Sequence, residues 1–364
     1  MRRRIATIAA VLAGLLAAGC AEATERSATP QLVVVETGGI QLDPGVIETF
    51  EADRDVVVVV AREDDPARSL QDLAAAPDSP TADVLIGLPD AIAQDRPDVA
   101  FAEIAPAGVE RLPPGLLDGI PTGAVPISIR DLCVLFDRAT VDAGEIEAPR
   151  TFEELIGEAW AGRLVIPDPA TTLEGRLLLD ALRQAAPDDA APSWLDIAAS
   201  MQRNGTVVAP TWREGFDTEF VSLARPDGPP LVWGAAGMPA AMVAFEAELP
   251  SAPTLGVVPT TCIRSTALAA LPVGADQPRL AVEFVEHLLT PEVQVTLVDA
   301  VGSLPARRDV PLPDAWSRFA LRINGPLRPT PRPPEEPPLS SVWTALGDGT
   351  LTAPSEAPDE QAGE

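Results

Sequence analysis

The sequence predicts an α/β protein with a mainly parallel sheet, built as two successive α/β units. Three observations predict it. Short runs of Val, Ile and Leu recur along the 364 residues, helix-type segments separate them, and the pattern restarts near Val125. Near-continuous branched apolar runs are what parallel strands look like when both faces are covered. Their alternation with helical segments is the α/β arrangement. A chain of this length, 46% hydrophobic, suits two domains of ordinary size.

The elements follow in order. Residues 32–35 (LVVV) form a strand, 47–52 a helix and 56–60 (VVVVV) a second strand. Residues 70–75 are helical and 83–87 (DVLIG) make a third short strand. After the restart, residues 132–136 are a strand. Thr151 and Glu154 have capping-box spacing for a helix running to about Ala159. A strand at 164–166, a helix at 177–185 and strands at 207–208 and 231–233 complete the second unit. A further strand covers 267–271 and an amphipathic helix 279–289. Thr290, Pro291 and Glu292 then open another helix, with a hydroxyl, a proline and an acid at the first positions. From Asn324 the texture changes: nine prolines lie between Pro326 and Pro358, and the end is polar and acidic. Residues 324–364 are expected to be a mostly disordered tail, with Val342 and Trp343 docking once.

The N-terminus carries an address. Arg2, Arg3 and Arg4 precede an apolar stretch, 5–18, of signal-peptide length and too short to span a bilayer. It closes as LLAAGC at Cys20, which resembles the lipobox of bacterial lipoproteins. On that resemblance, residues 1–19 are a lipoprotein signal peptide, Cys20 is lipidated, and 20–30 are a polar tether. The protein is then held on the extracytoplasmic face of the cell membrane. An ordinary signal peptide cut near Ala18 would export it without the anchor. The formal charge of −28 disfavours nucleic acid and anionic lipid, and is compatible with a cationic ligand or with simple solubility. Cys133 and Cys262 are left, as a disulfide or as two buried thiols.

Residues 151–169, TFEELIGEAWAGRLVIPDP, resemble a recurrent stretch of bacterial extracellular solute-binding proteins, and 284–294, FVEHLLTPEVQ, are similar to their C-terminal helix pair. Within that superfamily the likeness is to thiamine-binding proteins of ABC transporters. It is carried by 82–88 (ADVLIGL), 168–175 (DPATTLEG), Trp212-Arg213-Glu214 and Thr261-Cys262-Ile263-Arg264. The resemblance implies a periplasmic-binding-protein clamshell, two α/β lobes with a ligand cleft between them. Lobe 1 would be discontinuous, 31–125 and 262–323, and lobe 2 would be 126–261. Crossovers near 124–130 and 256–264 would run side by side and bring Cys133 within bonding distance of Cys262.

The resemblance also proposes a site. Strand ends would face the cleft. Pro167-Asp168-Pro169 would fix a strand exit, and Thr171 and Thr172 would cap the next helix, whose free amides suit a polar or anionic ligand end. Gly175 would let helix and ligand approach closely. Asp90 opposite would pair with a cationic ring, and Trp212 or Trp233 would stack on it. Glu36 and Arg264 are weaker candidates. The sequence departs from the family pattern at 36–40 (ETGGI) and 265–267 (STA), and with no Tyr a tyrosinate iron site is excluded. No metal, cofactor or catalytic residue is expected. The single His287 has no triad around it, and glycine-rich phosphate loops and metal-spaced His/Cys clusters are absent from the sequence. The expected function is a monomeric receptor that passes a small solute to ABC permease subunits. The alternative is a degenerate binding domain used for surface interaction or sensing.

Overall fold

The computed structural model describes residues 29–354 except Gly39, Glu145, 222–224, 300–301, Arg332 and Pro334. The signal peptide, Cys20 and most of the tether lie outside the described residues, as does everything after Pro354.

Nine strands among the described residues form one sheet. They are β1 (Gln31–Thr37), β2 (Val57–Glu63), β3 (Val84–Pro89), β4 (Ala124–Asp137), β5 (Leu164–Pro167), β6 (Val207–Ala209), β7 (Leu231–Ala235), β8 (Leu255–Ala270) and β9 (Leu304–Pro305). Their order is β2-β1-β3-β8-β4-β7-β5-β6, with β9 beside β4. At one end β1 lies parallel between β2 and β3. At the other, β5 lies parallel between β6 and β7. These ends are the two lobes of a clamshell, and the long strands β4 and β8 run through both.

The lobes meet where the β4–β8 ladder slips. Leu132 pairs with Ile263, but Val134 pairs with Val258, so residues 259–262 of β8 bulge opposite Cys133. The bulge is tied down three ways. Thr261 Oγ1 accepts from the Val134 N–H at 2.9 Å and donates to the Val258 carbonyl at 2.8 Å. Cys133 and Cys262 form a disulfide across it, with Cα atoms 4.2 Å apart. One rung on, Arg264 grips Asp131 through two bonds of 2.6 and 2.7 Å, with both side chains almost fully buried.

Two expected elements came out differently. Thr151 does not open a helix to Ala159. Two short 3-10 turns, Glu153–Ile156 and Glu158–Trp160, stand there, separated by an extended Gly157. Glu154 bonds the N–H and guanidinium of Arg150 instead of returning a bond to Thr151. A capping box occurs at Ser193 and Asp196, opening the helix Trp194–Arg203.

The second difference is the tail. The helix Leu339–Gly347 buries Leu339, Val342 and Trp343 and packs on Trp194–Arg203, where Gln202 Nε2 donates to the Trp343 carbonyl at 2.8 Å. Those residues fall at i, i+3 and i+4, one apolar helical stripe that the surrounding prolines had masked. Upstream, Leu327 extends the sheet beside Ile263, exchanging main-chain bonds with Cys262 and Arg264.

Candidate functional site

The exit of β5 builds the lobe 2 side of the junction. Asp168 organises it: its Oδ1 accepts from Ala170 N–H, and its carbonyl accepts from Thr172 N–H and Thr172 Oγ1, all between 2.8 and 2.9 Å. Thr172 is the N-cap of the helix Leu173–Ala185, accepting from Gly175 N–H at 3.0 Å. Thr171 is exposed and bonds Asp168 Oδ2. Gly175 has a different task from the expected one. A Cβ there would lie 2.6 Å from Pro167 O and from Pro169, so glycine seats the helix on the Pro-Asp-Pro turn.

This helix start reaches lobe 1. Leu173 packs against the lobe 1 cluster that contains Leu88, Ile92 and Phe101. Arg176 approaches Asp95 of lobe 1 at 3.9 Å, while Glu174 pairs with Arg130 on β4 at 3.2 Å. The lobes are therefore in contact, with a cavity of about 260 Å³ beside Leu173, Leu177 and Asp180 on one side and Ala91 and Gln94 on the other.

Asp90 opens the short helix Asp90–Gln94 directly after β3. It is 2% exposed, and its Oδ1 accepts from the N–H groups of Ala91 (2.9 Å) and Thr266 (3.1 Å). Among the described residues no cationic side chain pairs with it directly. Burial raises its pKa to about 6, and the bonds from Thr266 and Ala91 offset only part of that cost. A folded-state pKa above the unfolded one means that the native state holds the proton more tightly. Stability from this group is complete below about pH 4 and is lost as pH rises through about 6, an effect on the order of 3 kcal/mol. Asp90→Asn should raise the melting temperature at pH 7.5 and flatten the stability profile between pH 4 and 6. A profile unchanged by the substitution would show that Asp90 does not govern it.

The other expected ligand residues are dispersed. Glu36 is buried within lobe 1, accepting from Leu42 N–H at 3.0 Å and from Arg62 Nε at 2.8 Å. Trp233 has no exposed surface. Its ring lies 6.2 Å from that of Phe152 and its Nε1 donates to the Glu174 carbonyl at 2.9 Å, so it is core beneath the helix and has no face for a ligand. Arg264 is committed to Asp131 and to the Ile323 carbonyl. Trp212 is half-buried and stacks on Phe216, which stacks on Phe220, with centroids 5.3 and 5.5 Å apart. Its buried Nε1 has no hydrogen-bond partner among the described residues and lies against Gly234. The structure thus sets the neighbours of Asp90 and Thr172, Ala91 and Leu173, on one interlobe cavity and leaves the other expected ligand residues elsewhere. Sequence reasoning missed Leu173, Thr266 and Asp131. Each is an ordinary residue type whose role appears only when lobe meets lobe or strand meets strand.

A profile of bacterial extracellular solute-binding proteins matches residues 45–322, about three quarters of the chain. The chain belongs to that family. Solved structures share the fold at low identity. A periplasmic thiamin binding protein is 19% identical with a TM-score of 0.68, over 88% of this chain and 96% of its own. Iron-bound HitA from Pseudomonas aeruginosa is 14% identical with a TM-score of 0.62, over 89% and 100%. A putative spermidine/putrescine ABC transporter protein from Listeria monocytogenes is 14% identical with a TM-score of 0.61, over 88% and 98%. A comparison with curated protein sequences gave no match. Among the described residues of this solute-binding protein, no group of three His, Cys, Asp or Glu could hold a metal ion, and no helix is long and apolar enough to cross a membrane.

Proposed function

We propose that this protein is the lipid-anchored solute receptor of an ABC importer, held through Cys20, and that it binds a small organic cation between its lobes. Thiamine and its phosphates are the first candidates. The observation that carries the cationic class is Asp90: a carboxylate buried next to cavity-lining Ala91, bonded by Thr266 and Ala91 with no cationic side chain paired to it among the described residues, and with a raised pKa, is matched by a ligand cation that restores its charge. The amides at the Thr172 cap suit a polar or phosphorylated end on the same ligand. Thiamin and spermidine/putrescine in the names of structural neighbours support the same class of solute.

A second reading, a domain that no longer transports, is favoured by the internal partners of Glu36, Trp233 and Arg264. Binding separates the two. Calorimetric titration with thiamine, thiamine phosphate and spermidine should give saturable binding to at least one, weakened at least tenfold, about 1.4 kcal/mol, by Asp90→Asn. Trp212→Ala should weaken a ring-bearing solute and leave spermidine unchanged if the indole faces the cleft. Lost stability with unchanged affinity would place Trp212 in the aromatic row alone. No saturable binding of any of the three would remove the cationic reading.

A further inference from the structure

The chain between Ile323 and the last helix touches both lobes within a few residues. Leu327 is bonded to β8 at the hinge. The Arg328 carbonyl accepts from Gln184 Nε2 at 2.8 Å, and the Thr330 N–H donates to Asp180 Oδ2 at 2.9 Å; both partners belong to the lobe 2 helix Leu173–Ala185. From that anchored backbone the Arg328 guanidinium reaches into lobe 1, where Nη2 donates to the Gly115 carbonyl at 2.9 Å. Pro329 between the anchors is buried, and Pro329 and Thr330 wall the interlobe cavity that Ala91 and Leu173 line from the two lobes. Proline on either side of Thr330 stiffens the segment, so Arg328 is presented from a rigid mount.

We propose that residues 327–330 are a latch across the interlobe junction, fixed to lobe 2 at Gln184 and Asp180 and closed on lobe 1 by the Arg328–Gly115 bond. The identity of the solute that enters when it opens rests on the reading above; the latch itself does not. Opening the lobes requires the Arg328–Gly115 bond to break, because its two ends ride on different lobes. A latched receptor binds with an apparent affinity reduced by the fraction of molecules already released.

The test uses the full-length chain, its Arg328→Ala variant and a Gln184→Ala variant that removes one of the two lobe 2 bonds to the latch. Hydrogen exchange reads the junction without ligand. Loss of the charge-assisted Arg328–Gly115 bond should speed exchange of the amides at 173–177 and 115–119 about tenfold, and loss of the neutral Gln184 bond by a smaller factor, with the lobe cores unchanged. Exchange at the wild-type rate in both variants overturns the latch. Titration with thiamine and spermidine is the second arm. Tighter binding of either cation by Arg328→Ala, again about tenfold, supports the latch as a brake on binding. Faster exchange with no binding of either probe keeps the latch and sinks the cationic-solute reading. Faster exchange with weaker cation binding overturns the latch as a brake on binding, because Arg328 would then be assisting the ligand.

Discussion

Asp131→Ala is expected to destabilise the protein by about 3–5 kcal/mol, the loss typical when one member of a buried ion pair is removed. Asp131 and Arg264 face each other on β4 and β8 where the lobes join, and their side chains are 1% and 6% exposed. Two bonds of 2.6 and 2.7 Å connect them, and Arg264 also donates to the Ile323 carbonyl. Removing the carboxylate leaves an unpaired guanidinium that is only 6% exposed. The remaining carbonyl neutralises none of its charge, and a second, half-buried arginine lies close by: Arg322, whose pKa is lowered mainly by burial and also by Arg308 and Arg264. Urea unfolding followed by tryptophan fluorescence measures the loss. The double variant Asp131→Leu, Arg264→Met should recover most of it, since replacing a whole buried pair by apolar residues is often neutral. A loss under about 1 kcal/mol in the single variant would mean that water or another anion already compensates Arg264.

The second large effect concerns Cys133 and Cys262. Their bond closes a loop with a sequence separation of 129 and clamps the β8 bulge. In the chain-entropy account a loop of that size constrains the unfolded chain by on the order of 4–5 kcal/mol. The double substitution Cys133→Ser, Cys262→Ser should therefore lower stability by an amount of that order. Both serines would also have to be accommodated where the thiols were buried. Thiol titration of the denatured, unreduced protein carrying Cys20→Ser should find no free cysteine. Two free thiols would remove the crosslink, and the predicted loss with it. The bond lies on the two strands that pass between lobes, so it ties the crossover together.

Much of the fold was legible because its strands advertise themselves. The run 164–166 is branched and apolar since both sheet faces are covered, whereas 32–35 alternates buried with half-buried residues and the run 56–60, on the edge strand β2, leaves Val57, Val59 and Val60 exposed. Breakers were less reliable. Gly157 turned a well-spaced capping signal into two separate 3-10 turns. The prolines after Asn324 read as disorder, yet the apolar stripe at 339, 342 and 343 found a surface on the Trp194–Arg203 helix. The sequence singled out Val342 and Trp343 for docking but not their partner, because that surface is assembled from residues about 140 positions away.

Of the candidate site, the sequence by itself determined the local chemistry: the cap at Thr172, the acid that follows β3, and two cysteines left to pair in an exported chain. Those features need only near neighbours or residue count. Tertiary structure alone decided which side chains remain for a ligand. Trp233 and Arg264 carry the right groups for binding, but Glu174 and Asp131 take them. Leu173 and Arg328 carried no signal and now span the junction. The reason is physical: a buried polar group must find a partner, and which partner lies within 3 Å depends on how two lobes and a returning chain pack together.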